Sequence, residues 1–381
     1  MFSVAACASL QELEALRPEW DALLDRTSDA SVFDDWAWTE AAWRYGAPGK
    51  QPYVLTVRDA TQGLVGVLPL ARITQRRVVR ALEVIGCTPS GYPMVDYGGL
   101  VAARGAEATV WQAILGYLAA QRNWAILDLR NCAFGALQAE HYRRAAARRG
   151  WIAQVHAAER CPRLTLAPTF DGYLGTLSAN ARQQIRRKLR KLSEAGLTIT
   201  PVDNEDTAAR DATLETLFRF FEVRWSHTGG VVGLPPGQAC RLHQRFAGHF
   251  AARGALDLRV VRSLAGETVG VIYNLRRGDT GYFYMIGLSP DPQWRPYSLG
   301  VCLLADSIAA AISAGCSTFD LLRGDHDYKR HFGGQYRDTY RVTLYRYRWM
   351  PALEEAARRM RRRLNTGSAN PAPPQPEPEA A

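Results

Sequence analysis

The feature that most constrains this chain is that it repeats itself. YVLTVRDATQGLVGVLPLARI (Tyr53 to Ile73) alternates apolar and polar residues, breaks at Gly63 and resumes as an apolar strand through Val65, Gly66 and Val67. LRVVRSLAGETVGVIYNLRR (Leu258 to Arg277) does the same, with Gly266 at the turn and Val269, Gly270 and Val271 in the second strand. Period-two alternation on either side of a glycine turn predicts a β-hairpin. After each hairpin comes a helical segment and then a buried strand carrying an acid, WAILDLRN with Asp128 and STFDLLRG with Asp320. The unit is too long for a solenoid repeat, so the pattern predicts two tandem copies of one α/β domain with a mixed sheet. A length of 381 residues suits two or three domains, each able to bury its own core.

The net charge of +10 suits an anionic partner such as a phosphorylated cofactor, a nucleic acid or an acidic glycan, and leaves the fold undecided. Part of the excess is terminal: Arg358, Arg359, Arg361, Arg362 and Arg363 crowd one helical stretch, and the tail NTGSANPAPPQPEPEAA is too rich in proline to pack. Seven cysteines without a CxxC pair argue against a disulfide framework or a zinc site and predict a reducing compartment. His141, His156, His243 and His249 have no ligand spacing, so no metal is expected. The N-terminus lacks a basic, then apolar, leader, and LGVCLLADSIAAAISAG is too short to span a bilayer and is interrupted by Asp306. The expectation is a cytoplasmic protein with no membrane span.

Ser9 and Glu12 form a capping box that opens a helix through Leu10, Leu13, Leu16, Trp20, Leu23 and Leu24, which Pro18 should kink or split. DDWAWTEAAWRYG is a second helix. Thr74 to Arg104, containing CTPSGYPMVDYGG, reads as loop. Thr109 to Gln121 is a helix, WAILDLR a strand, and AEHYRRAAARRG a helix stopped by Gly150. The first domain should span 1–162, a second 163–350, and the basic helix and tail 351–381. Ser178 caps ANARQQIRRKLRKLSEAG, whose buried stripe is Ile185, Leu189 and Leu192 and whose stop is Gly196. Leu214 to Gly230 is another amphipathic helix, and Arg341 to Trp349 the closing strand.

Chemistry concentrates in the second copy. YFYMIGLSPDPQWRPYSLGVCLLADSIAAAI places a strand, a proline-rich loop, then Tyr297, Ser298, Leu299 and Gly300 at a helix start. Free N–H groups and the positive dipole end there suit a pyrophosphate, glycine permits close approach, and Arg295 could add a charge. An ordinary connection capped by Ser298 fits the same residues. Arg182, Arg186 and Arg190 share one helical face, Arg187 and Lys191 the next; they form either a solvated face or a grip on phosphates. Without interleaved aromatics or a nucleic-acid motif, DNA binding is not expected. Trp225 is a core residue or, beside Arg224 and a His-Thr-Gly-Gly exit, a cleft wall.

The order hairpin, strand, turn, helix, then FDLLRG followed by DYK, resembles the GNAT acyltransferase superfamily. More closely, the chain is similar to the CelD-type acetyltransferases of cellulose and exopolysaccharide biosynthesis, relatives of the FemAB peptidyltransferases. The resemblance rests on EWDALLDRTSDASVFDDWAW, the VDY at Val95 to Tyr97, the SANARQQIRRKLRKLSEAG helix, Arg224 and Trp225, and FDLLRGDHDYK with Asp320, Gly324, Tyr328 and Lys329. Where the family often has Ser-Pro-Gly, Leu299 replaces the proline. The resemblance implies a tandem GNAT fold whose C-terminal copy binds acyl-CoA, through Ile286, Leu288, Arg295, Tyr297, Ser298, Leu299 and Gly300.

It implies an N- or O-acyltransferase, with acetyl-CoA the default donor and an amine- or hydroxyl-bearing sugar or glycan precursor as acceptor. Asp320 is the expected base, with His326 competing, Tyr328 the proton donor to the leaving thiolate, and Lys329 the holder of an anionic group. The same residues equally fit Asp320 capping the following loop while Tyr328 and Lys329 pack at the domain interface. Asp96, Tyr97, Arg224 and Trp225 are the expected acceptor side. Two alternatives stand beside this: a FemAB-like transferase drawing on aminoacyl-tRNA, which the basic helix suits but which lacks the usual coiled-coil arm, and a non-catalytic accessory protein of a polysaccharide-synthesis complex.

Overall fold

A computed structural model describes residues 2–46, 51–77, 80–86, 95–133, 136–225, 236–324, 327–353, 355–356 and 359. The first half runs β1 (Phe2–Cys7), α1 (Leu10–Asp25), α2 (Trp36–Tyr45), β2 (Gln51–Asp59), β3 (Gly63–Arg77), β4 (Arg80–Gly86), β5 (Val101–Ala102), α3 (Glu107–Ala120), β6 (Ile126–Cys132), α4 (Ala136–Ala147) and β7 (Ile152–Thr165). The second runs α5 (Phe170–Thr176), α6 (Ala179–Glu194), β8 (Thr198–Pro201), α7 (Thr207–Trp225), α8 (Pro236–Ala251), β9 (Leu256–Arg262), β10 (Thr268–Arg277), β11 (Thr280–Leu288), α9 (Leu299–Ser313), β12 (Thr318–Asp320), α10 (Asp327–Arg330) and β13 (Gln335–Tyr345).

All strands join one mixed sheet, in the order β1-β2-β3-β4-β6-β13-β7-β12-β11-β10-β9-β8, with β5 beside β3. Read from its two ends, the order is the same: β1 to β4 then β6 mirrors β8 to β11 then β12. Both halves share the connections, because β4 pairs parallel with β6 and β11 parallel with β12, each across one helix. The last strands are exchanged. β7, from the first half, lies against β12, and β13, from the second, lies against β6; the two pair with each other from Gln335↔Arg163 to Tyr345↔Ile152. β7 therefore runs unbroken through residue 162.

The Val-Gly-Val motif of each hairpin has a packing reason. A Cβ on Gly66 would sit 2.3 Å from Val110 Cγ1 on α3, and one on Gly270 3.2 Å from Leu303 Cδ1 on α9. In each half, glycine lets the helix lie close on the strand it crosses. Gly66→Ala should therefore cost about 1–3 kcal/mol, through overpacking against fully buried Val110, readable as a lower urea midpoint.

Three local expectations need correction. α1 runs unbroken through Pro18, because Leu13, Leu16, Trp20, Leu23 and Leu24 are buried along its length and the Trp20 and Trp36 indoles donate to Asp34 and Leu13 carbonyls (2.9 and 2.7 Å). That packing outweighs the one hydrogen bond proline removes. Thr74 to Arg104 is only partly loop: β3 extends to Arg77 and turns into β4, which gains a second partner in β6, and Val101–Ala102 joins β3. β4 pairs with its neighbour β3 down to Arg77↔Arg80, and the glycines and prolines that signal loop begin only at its end. CTPSGYP lies outside the described residues, as do Arg358, Arg361 to Arg363 and the terminal tail. The closing strand is Gln335–Tyr345, not Arg341 to Trp349, since its pairing ends where β7 begins.

Ser9 Oγ accepts from Glu12 N (3.1 Å), and the Glu12 carboxylate accepts from Ala8 N (2.9 Å). Among the described residues no helix is long and apolar enough to cross a membrane, and six free cysteines are all buried.

Candidate functional site

The site begins where two strands part. β11 and β12 pair over three residues only, Thr280 to Tyr282 against Thr318 to Asp320, after which β11 continues to Leu288 and β12 ends. Beyond Tyr282 the β12 side of β11 faces a wedge rather than a strand, leaving backbone groups there for an extended ligand. On the other side of β11 the register with β10 slips: Asn274 pairs with Phe283 and Tyr273 with Met285, so Tyr284 is the extra residue of a β-bulge. Such a bulge re-aims the strand just where it diverges.

Past Leu288 the chain makes a 3-10 turn (Pro292–Tyr297), and Ser298 adopts φ 48° and ψ 48° before α9 starts. The alternative of an ordinary connection capped by the serine side chain does not hold: Ser298, in a left-handed conformation, makes no side-chain capping hydrogen bond. Its carbonyl accepts from Val301 N and Cys302 N (3.0 and 3.2 Å), while the earlier N–H groups of Leu299 and Gly300 lie on the first, uncapped turn. Gly300 packs over Ile286 and Leu288, whose δ-carbons lie 3.7 and 3.6 Å from where its Cβ would be. α6 flanks the turn. Lys191 Nζ is 5.7 Å from the Tyr297 ring centroid, and half-buried Lys188 has its pKa lowered by burial beside the Cys302 thiol. Arg295 is exposed at the turn, so positive charge and free N–H groups meet at the mouth of the wedge.

At the wedge's apex the structure brings Asp320 and Tyr97 together, 223 residues apart in sequence: the Tyr97 hydroxyl donates to both carboxylate oxygens, at 2.8 and 3.0 Å. Leu322 N also donates to Asp320 (2.8 Å), which Leu322 reaches through a left-handed φ of 55°. Each of the two side chains is 1% exposed. Burial raises the Asp320 pKa above the ordinary range, only partly countered by the Leu322 N–H and the Tyr97 hydroxyl. Burial and the Asp320 charge push the Tyr97 hydroxyl well above its usual value, so the phenol stays protonated. Cys161, alongside, is pushed up to about 12 by burial.

Tyr97 is delivered by a pinned loop. Asn131, at φ 54°, donates through Nδ2 to the Val95 carbonyl (2.8 Å) and accepts from Gly98 N (3.0 Å), and Gly99 takes φ 125° against the Cys132 sulfur. Next to it, Asp96 forms an ion pair with Arg323. Lys329 is buried; its ammonium donates to the Leu321 and Arg323 carbonyls (both 2.7 Å), thereby shaping the loop after β12. Burial lowers its pKa to about 8. Tyr328 is half-buried against the core under α9. The acid that echoes Asp320 in the first half, Asp128, is spent differently: Arg341 holds both its oxygens (2.7 and 2.9 Å) and Arg130 adds a third contact.

Asp320, Lys329, Asp96 and Tyr97 thus meet at one point, while Ile286, Leu288, Arg295 and Tyr297 to Gly300 gather at the wedge mouth. His326 and the side chains of Arg224 and Trp225 lie outside the described residues. Sequence reading missed the bulge at Tyr284, the Arg323 partner of Asp96, and Cys161. Arg323 had a signal, since it sits inside FDLLRG. The bulge had none, because one extra residue leaves no mark in a continuous apolar run.

Residues 179–330 match the acetyltransferase (GNAT) domain family model. The GNAT match includes α6, the parted strands, the α9 turn and the DYK segment. Solved structures share the fold across both halves. FemX superposes with a TM-score of 0.60 at 11% identity over 89% of this chain and 96% of its own. The C-terminal domain (DUF2156) of a putative lysylphosphatidylglycerol synthetase from Agrobacterium fabrum gives 0.53 at 11%, over 88% and 92%. L-PGS from Bacillus licheniformis gives 0.53 at 12%, over 88% and 94%. No curated protein matches the sequence. The GNAT domain and the GNAT fold support an acyltransferase enzyme.

Proposed function

We propose that the chain transfers an acyl group, acetyl by default, from coenzyme A to an amine or hydroxyl of a sugar or glycan precursor, as its CelD-type resemblance implies. The observation that carries this reading is the wedge between β11 and β12 opening onto the uncapped start of α9. A pantetheine arm can run along the free edge of β11, its pyrophosphate at Leu299 N and Gly300 N with Lys188 and Lys191 nearby. Its thioester would then lie near the bulge and Asp320. Attack by the acceptor forms the new C–N or C–O bond, the C–S bond breaks, and the nucleophile's proton passes to Asp320 by way of the Tyr97 hydroxyl. Tyr328 returns a proton to the thiolate. Lys329 holds the loop from which Arg323 reaches Asp96, and its charge favours anionic species close by. Arg224 and Trp225 extend the acceptor side, and the first half, 1–162, supplies Asp96 and Tyr97.

Calorimetric titration with acetyl-CoA tests the donor. Gly300→Trp should weaken Kd by about 100-fold or more, since the ring must fill the space between Ile286, Leu288 and the N–H groups, while the thermal midpoint changes little. If wild-type protein takes up no acetyl-CoA at millimolar concentration, this reading fails. Aminoacyl transfer from charged tRNA would then stand instead, for which the exposed Arg186, Arg187, Arg190 and Lys191 of α6 speak.

A further inference from the structure

A cavity of about 490 Å³ lies between the halves, walled by Thr27, Asp29, Ala30 and Arg163 of the first and by Arg277, Thr280, Tyr282 and Arg337 of the second. Strand register fixes which face it occupies. Tyr282 pairs with Asp320, Asp320 with Arg163, and Arg337 with Cys161, two residues from Arg163 along β7. Paired residues share a face, as do positions two apart, so Tyr282, Asp320, Arg163, Cys161 and Arg337 line one surface of the sheet. The cavity is therefore beside the Tyr97–Asp320 pair, and a second space of about 280 Å³, which shares Thr27, Asp29, Ala30 and Arg337, reaches Tyr97 itself.

Five arginines and four aspartates line the larger cavity, and most of these charges are spent on the fold. Asp35 is fully buried between Arg253 (2.7 Å) and Arg277 (3.5 Å); Arg276 donates to the Gly254 and Ala314 carbonyls; Asp279 accepts from Ser317 and Thr280. Arg163 and Arg337 are different, although Arg337 Nη2 also donates to the Ala133 carbonyl (2.7 Å). Both point to one carboxylate, Asp29, at 3.9 and 3.4 Å, too far for the charge-assisted bonds that Arg253 and Arg259 make elsewhere at 2.7 and 2.6 Å. Asp29 is 61% exposed and has a left-handed φ of 59°, and Arg163 Nε is buried with no acceptor. Two guanidiniums thus face a loosely held, exposed acid at the edge of an open cavity.

We propose that Arg163 and Arg337 form the seat for an oxyanion of the acyl acceptor, a carboxylate or a phosphate, and that Asp29 occupies it until the acceptor displaces it. Planar guanidiniums bind either group in bidentate fashion, and the cavity is large enough for a small molecule's charged end. Anchored there, the acceptor would present its nucleophile to Tyr97, whose ring centroid lies 5.2 Å from the Arg337 guanidinium. The bound molecule is called the acceptor on the strength of the acyl-transfer reading; the seat is tested without any donor.

The experiment titrates the full chain calorimetrically with inorganic phosphate and, separately, with malonate; the tighter of the two identifies the oxyanion. Asp29→Asn removes the competing carboxylate from an exposed position and should tighten binding about threefold. Arg163→Gln should weaken it about tenfold or more, with an unchanged thermal midpoint confirming the fold. Arg337→Gln should weaken it likewise, although its bond to the Ala133 carbonyl makes Arg163 the safer variant. If neither probe binds at tens of millimolar, or if both variants leave Kd as it is, the seat does not exist; binding at the α9 turn would give that second pattern. Failure of acetyl-CoA to bind would overturn the donor assignment and leave these titrations as they stand.

Discussion

Asp320→Asn is expected to lower kcat by about 10²–10⁴-fold, the usual contribution of a positioned base, with acetyl-CoA affinity unchanged. Asparagine is the informative replacement because its amide oxygen still accepts from Leu322 N and the Tyr97 hydroxyl, which in the native protein lie 2.8 Å from the carboxylate. The geometry stays while the ability to take a proton goes. Alanine would instead leave the buried Tyr97 hydroxyl unpaired, at a cost of about 1–3 kcal/mol in stability, and confuse the two effects. The pH profile adds a second readout. A base must be ionised, and burial raises the Asp320 pKa, so the acid limb of kcat/KM should fall above the range of an ordinary aspartate. In Asp320→Asn that limb should disappear. Turnover equal to wild type would remove Asp320 from the base role, and a limb that persists in the variant would assign it to another group.

Lys329→Met should change how stability depends on pH. In the native protein the ammonium is buried and its pKa falls from 10.5 to about 8. Below pH 8 it is charged in both folded and unfolded chains, and the folded state bears the cost of burying it. Between pH 8 and 10.5 the unfolded chain keeps the proton and the native one releases it, so this group makes stability rise with pH across that window. At about 1.4 kcal/mol per unit, wild type should gain about 2–3 kcal/mol over Lys329→Met between pH 7.5 and 10, read from urea midpoints. Identical pH dependences would mean that Lys329 is not a buried cation. At neutral pH the variant should also lose turnover, because the Leu321 and Arg323 carbonyls lose their donor and the loop that aims Arg323 at Asp96 is released.

Much of this was legible from the chain alone. The two Val-Gly-Val hairpins predicted a duplicated domain through their shared alternation about a glycine turn, and in each half a helix lies close on the strand at the Val-Gly-Val glycine, at Val110 and at Leu303. α6 was legible at both ends, with Ser178 accepting from Ala181 N and Gly196 taking φ 68°. Pro18 misled because a local rule was overridden by tertiary burial, and β4 was hidden because the glycine- and proline-rich run after it was read back over the whole of Thr74 to Arg104, although β4 pairs with its neighbour β3. Asp128 and Asp320 looked alike in their segments. Their environments separated them: arginine lies across from one, tyrosine from the other.

What the sequence determined by itself is therefore local and periodic: hairpins, amphipathic helices, caps, and the crowding of polar groups between Tyr297 and Lys329. Each depends on residues within a few positions of one another, where steric and hydrogen-bonding rules act directly on the chain. The exchange of β7 and β13, the bulge at Tyr284, the meeting of Tyr97 with Asp320 and the two arginines over Asp29 were decided by tertiary structure alone. They depend on strand register and on contacts between residues up to 223 positions apart, on which no nearby residue acts.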